Sequence, residues 1–157
     1  MQIFRLRDVT HTTGLGRSSV YKFMKLGTFP NSAVLGGKSV GWVAAHVNKW
    51  IIQQIRARDA APSGSDHVTL WAVAITGDDT SEIDLRVLRI RHVMVMTGLA
   101  RSTVYKYIDE RHFPHPVPLA GASVGWIETE VKHWLAKCFD SAAEQTYENP
   151  GILSEVA

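Results

Sequence analysis

Residues 13–22 read Thr13-Gly14-Leu15-Gly16-Arg17-Ser18-Ser19-Val20-Tyr21-Lys22, and 84 residues later the chain reads Thr97-Gly98-Leu99-Ala100-Arg101-Ser102-Thr103-Val104-Tyr105-Lys106. The register holds outward without a gap. Phe29-Pro30 meets Phe113-Pro114, and Leu35 meets Leu119. Ser39-Val40-Gly41-Trp42 meets Ser123-Val124-Gly125-Trp126, and Val47 and Trp50 meet Val131 and Trp134. Over residues 5–50 this gives 21 identities in 46 positions, where chance gives roughly three. The chain therefore carries a duplicated unit of small-domain size. Each copy is near the lower limit for folding alone, so contact between the copies is expected.

Each copy reads in the same order. A short helix over Asp8–Thr12 stops at Thr13-Gly14, where glycine suits a left-handed turn. A second helix runs from Arg17 to Leu26 and ends at Gly27, and Phe29-Pro30 blocks its continuation. Val34-Leu35, Gly36-Gly37 and Ser39–Trp42 predict a β-hairpin with a glycine turn. Val47, Trp50, Ile51 and Ile55 recur at helical spacing and predict a third amphipathic helix. Its counterpart uses Val131, Trp134, Leu135 and Phe139. Helix, glycine turn, helix and hairpin make a winged helix-turn-helix. With the turn glycine at Gly14, the expected inward positions are Val9, Leu15, Val20 and Phe23, all apolar. The same offsets from Gly98 give Val93, Leu99, Val104 and Tyr107. The fold class expected is mainly α with small β-hairpins (α+β), in two tandem winged helix-turn-helix domains.

With Val20 and Phe23 turned inward, Arg17, Ser18, Tyr21, Lys22 and Lys25 fall on the outer face of the second helix. Arg17 suits a bidentate contact to guanine. Ser18 suits a phosphate or a base edge, and Tyr21 offers a hydroxyl and a ring. Lys22 and Lys25 suit phosphates, as does Lys38 at the hairpin tip. The second copy presents Arg101, Ser102, Tyr105 and Lys106. There Asp109 replaces Lys25, and Ala122 replaces Lys38. The competing reading of each face is an ordinary solvated helix surface.

Charge is segregated along the chain. Residues 1–58 carry +8, residues 59–84 carry −6, residues 85–138 carry +4 and residues 139–157 carry −4. Two basic blocks thus alternate with two acidic ones, and basic blocks suit an anionic partner. The domains expected are 1–58 and 85–139. An acidic linker over 59–84 contains a possible strand at 68–75, and an acidic, loose tail covers 140–157. The lone Cys138 excludes an internal disulfide and a multi-cysteine zinc site. No apolar run approaches the roughly 20 residues that span a bilayer, and no secretory leader is visible, so the cytoplasm is the expected compartment. Gly36-Gly37-Lys38-Ser39 lacks the upstream glycine of a phosphate loop, since Ser32 stands there. The seven histidines are scattered. His112 and His115 flank Phe113-Pro114 without a third ligand nearby. Arg101 and Tyr105 share one helix face rather than belonging to a recombinase. No nucleophile–base set stands out, so no catalysis, metal or cofactor is expected.

The two strings T-G-L-x-R-S-[ST]-V-Y and V-G-W resemble the AlpA family of prophage-encoded regulators, which is related to excisionases and the MerR-like winged-helix group. The resemblance covers nearly all of both copies but neither linker nor tail. It implies bacterial or phage origin, duplex DNA binding at the bacterial nucleoid, and control of transcription or prophage excision. The partners expected are duplex DNA and, beyond it, a second copy of the chain or an integrase/recombinase. Family members usually have one domain, and a basic wing tip is common, kept by Lys38 and lost at Ala122. The alternative function is a protein-interaction or anti-regulator module in which one or both copies no longer bind DNA. The second copy is the candidate for that loss. A flexible 26-residue linker would span about 28 Å, close to the ~34 Å between successive major-groove faces. That match predicts half-sites one helical turn apart.

Overall fold

The computed structural model describes residues 1–60 and 84–148, with side chains in the last helix described to residue 143. The first copy runs β1 (Ile3–Phe4), α1 (Leu6–Thr13), α2 (Arg17–Lys25), β2 (Ala33–Gly36), β3 (Ser39–Val43) and α3 (Ala44–Asp59). The second repeats the order as β4 (Val87–Leu88), α4 (Ile90–Thr97), α5 (Arg101–Asp109), β5 (Val117–Pro118), β6 (Val124–Ile127) and α6 (Glu128–Glu148). The α+β class and the tandem arrangement of the sequence reading are those of the structure.

The Thr-Gly-Leu string builds the turn between the first two helices of each copy. The Thr13 hydroxyl donates to the Val9 carbonyl at 2.7 Å and accepts from the Leu15 N–H at 3.2 Å. Gly14, at φ 71°, returns its N–H to the Thr10 carbonyl. Thr97, Gly98 and Leu99 repeat all three contacts. One short polar side chain thus caps α1 and orders the residue that follows. Leu15 is then driven into the core.

The sequence reading did not include β1 or β4. Each pairs antiparallel with the second hairpin strand, so each copy holds a three-stranded sheet, ordered β1-β3-β2 and β4-β6-β5. The glycine of Val-Gly-Trp is required there by space. A Cβ on Gly41 would lie 2.6 Å from an Ile3 methyl, and one on Gly125 would lie 2.3 Å from a Val87 methyl. The partner of that glycine on the strand, Trp42 or Trp126, is fully buried. Val9, Leu15, Val20 and Phe23 are buried as expected, as are Val93 and Val104, while Leu99 and Tyr107 are half-buried against the same core.

Three expectations change. The region from residue 140, read as a loose tail, is helical to Glu148. Ser141-Ala142-Ala143 and the residues after them contain no helix breaker before Pro150, so α6 simply propagates. Phe139, expected on the buried stripe of that helix, is 73% exposed. The copies also meet, as their small size predicts, so the free-coil span of the linker no longer sets their spacing. Leu85, Val87, Val117, Leu119, Ala120 and Ile127 of the second copy join the core of the first, among them Ile52 and Ile55 of α3. The second copy's hairpin therefore packs on the first copy's helices. The possible strand at 68–75 lies outside the described residues.

One ion pair locks this junction. The Arg58 guanidinium at the end of α3 donates to both carboxylate oxygens of Glu130 at 2.8 Å. It also donates to the His115 carbonyl at 3.0 Å and to Asp59 at 2.8 Å. The Arg58 and Glu130 side chains are only 8% and 13% exposed. Burial opposes the charge of Arg58, but the hydrogen bond and charge of Glu130, backed by Asp59, outweigh it and raise its pKa above the ordinary value.

Candidate nucleic-acid interface

Helix α2 turns Val20 and Phe23 inward and leaves Arg17, Ser18, Tyr21, Lys22 and Lys25 exposed on one face. Helix α5 turns Val104 and Ile108 inward. It leaves Arg101, Ser102 and Lys106 exposed, with Tyr105 half-buried. Helical spacing alone accounts for the grouping.

The two family strings meet in three dimensions. The Tyr21 ring lies 6.3 Å from the Trp42 ring, and the Arg17 guanidinium lies 6.0 Å from the Tyr21 ring. In the second copy the same distances are 6.1 Å from Tyr105 to Trp126 and 5.8 Å from Arg101 to Tyr105. Trp42 is itself held by its indole N–H, which donates to the Pro30 carbonyl at 3.2 Å. A buried tryptophan of the sheet thus carries a tyrosine of the helix, which carries an arginine at the helix start. Such a cation–π contact stabilises by roughly 0.5–1 kcal/mol at an exposed site and restricts a side chain that otherwise samples many rotamers. Sequence reasoning assigned the tyrosines an outward hydroxyl and missed this supporting role of Trp42 and Trp126. The signal was present, since both strings recur together.

Lys38 is exposed on the separate β2–β3 turn. Lys22 borders a groove between the copies, opposite Leu119, Ala120 and Gly121. The second copy's face is electrically weaker. Lys106 lies 3.9 Å from Glu110, Asp109 ends α5, and exposed Ala122 stands at the wing tip. The strand leading to that tip is part of the junction with the first copy. Its buried Val117 and Leu119 match exposed Ala33 and Leu35 in the free first wing.

Among the described residues no helix is long and apolar enough to cross a membrane.

A family model described as prophage CP4-57 regulatory protein (AlpA) matches the chain twice, over residues 2–55 and 86–139. The chain is also similar to an uncharacterized protein, ORF88, of Enterobacteria phage P4. The two are 45% identical over 51 residues, 32% of this chain and 58% of that protein. It is similar as well to the DNA-binding transcriptional activator AlpA of Escherichia coli strain K12, at 37% identity over 59 residues, 34% of this chain and 84% of that protein. No solved structure matches the chain.

Proposed function

Because the chain belongs to the AlpA family of prophage regulatory proteins, we propose that it is a sequence-specific duplex-DNA-binding protein. Its task is then transcriptional regulation, or accessory work in excision, for a prophage or another mobile element. The family's relatives include a DNA-binding transcriptional activator. The observation that carries the reading is the arginine at the start of α2, fixed by Tyr21 over Trp42 on an exposed face with two lysines. A guanidinium held at a helix N-terminus suits the O6 and N7 edge of guanine, and the lysines suit the phosphates on either side. Catalysis is no part of this reading. We assign the first copy the larger share of binding, because its face keeps Lys25 and Lys38 where the second has Asp109 and Ala122.

The test is selection of bound duplexes from a random pool with the whole chain, followed by affinity measurements across a salt series. A recovered consensus whose binding weakens steeply with salt is expected. Failure to retain any duplex at low salt overturns the reading in favour of the protein-interaction module.

A further inference from the structure

The junction between the copies buries one surface of each, and among the described residues the two equivalent surfaces, one on each copy, stay exposed. On the second copy, the buried contributors are Val87, Val117 and Leu119. Their equivalents on the first copy, 84 positions earlier, are Ile3, Ala33 and Leu35. Leu35 is 50% exposed, its neighbour Val34 is 73% exposed, and all of β2 faces solvent. On the first copy, the receiving side includes Ile55, which is 4% exposed, and Gly14, against which the Val87 carbonyl packs. The equivalents on the second copy are Phe139, which is 73% exposed, and Gly98, which has open space beside it. Val95, the equivalent of His11, is 85% exposed on the same end. Of the large exposed apolar residues described, Ile3 and Leu35 are the equivalents of buried junction residues on the wing side, and Phe139 is the equivalent of one on the receiving side.

We propose that these surfaces bind each other between chains: the free wing of one chain docks on the α4–α5–α6 face of the next. The occupant is a second copy of this chain, because the same contact already exists between its own halves. Where the internal junction sets Gly121 against Phe23 and across a groove from Lys22 and Leu26, the outer one sets Gly37 against Tyr107 and across from Lys106 and Glu110. The buried Arg58–Glu130 pair has no equivalent in the outer contact, where Ala142 and His46 stand in its place, so that contact rests on apolar burial. Ala122 stays exposed in the internal junction, so Lys38 stays at the rim of the outer one. The contact is heterologous, and its repetition makes a row of helix-turn-helix units rather than a closed two-fold dimer.

The experiment is sedimentation of the full chain without DNA, which separates it from the reading as a DNA binder. The average mass should rise with concentration above that of the 17.4 kDa chain. Leu35→Glu and Phe139→Glu alter exposed positions, and each should sediment as a single chain. Mixed in equal amounts they retain one intact wing and one intact receiving face. They should then form a particle of about twice the single-chain mass and stop there. A wild-type chain that stays single up to its solubility limit overturns the proposal, and residues 61–83 or 149–157, or another protein, would then be the cover. Variants that associate alone, or that fail to associate when mixed, also overturn it.

Discussion

Arg17 and Arg101 stand four residues before Tyr21 and Tyr105, one helical turn away, so each guanidinium can rest over the ring that follows it. Replacing Arg17 by Ala is expected to cost ~1–3 kcal/mol at a cognate site and to relax preference at one base pair. Lys38→Ala should instead weaken all sequences alike and lower the salt slope by about one. Competition binding against single-base variants of the selected site distinguishes the two. If Arg17→Ala leaves the preferred site untouched, α2 is not the reading element. A different residue-scale effect lies at Arg111. It takes φ 60°, the left-handed region that its counterpart Gly27 occupies at φ 73°. The local hydrogen bonds are the same in both copies: the residue's N–H returns to Met24 or Ile108, and the next N–H returns to Phe23 or Tyr107. An L-residue costs roughly 1–2 kcal/mol there, partly offset by glycine's greater chain entropy. Arg111→Gly is therefore expected to stabilise the chain by about 1 kcal/mol, measured by urea denaturation. A loss of stability would mean that the Arg111 side chain contributes more than its backbone costs.

At the scale of elements, the helices and the hairpins were legible because their signals are dense. The α2 helix has apolar residues at helical spacing and glycine at both ends, and β2–β3 has a Gly-Gly turn between β-branched residues. Strand β1 was not legible, since two residues carry no periodicity and the strand exists only because Val43 and Trp42 offer it a partner. The end of α6 was misread because its acidic composition resembles a tail, whereas helix propagation depends on backbone propensity more than on charge. The outer faces of α2 and α5 were legible once the inward residues were placed. Their support from Trp42 and Trp126 left only an indirect trace, the joint recurrence of the two strings, because it joins residues 21 positions apart across two elements. The start of α6 carries its own prediction. Burial pushes the Glu128 carboxyl upward, but hydrogen bonds and charge from Lys132 and Arg86, each at 2.9 Å, hold it below the ordinary glutamate value. A carboxyl lowered by folding adds stability above its unfolded pKa, and that stability is lost as pH falls through the folded one. Glu128→Gln should therefore reduce stability at neutral pH and converge on the wild type in acid. Curves that stay parallel from pH 6 to the acid limb would show that this cluster does not contribute to acid sensitivity.

At the scale of the whole molecule, the decisive quantity is the angle and distance between the two helix-turn-helix units, and the linker does not set it. A tether predicts that a ten-base-pair insertion between half-sites partly restores what a five-base-pair insertion destroys, because a 26-residue coil reaches that far. Docked copies predict otherwise. Val87, Val117 and Leu119 are buried in the first copy's core, and Arg58 and Glu130 pair in a bidentate contact with little solvent. The spacing of α2 and α5 is then fixed, and both insertions should cost affinity in the wild-type chain. Opening the junction should recover the tethered behaviour. Glu130→Ala removes two hydrogen bonds from the buried Arg58 but leaves Asp59 to pair with it, so the cost should fall below the roughly 3–5 kcal/mol of a buried charge left wholly unpaired. That variant should show a lower melting temperature, with two resolved transitions in place of one. It should also tolerate the ten-base-pair insertion better than the wild type does. A wild-type chain indifferent to both insertions would mean that a single copy touches DNA, and the neutral wing and acidic end of α5 make the second copy the silent one. A wild-type chain that regains affinity at ten base pairs would mean that the junction opens on binding. The ion pair would then be a latch rather than a brace.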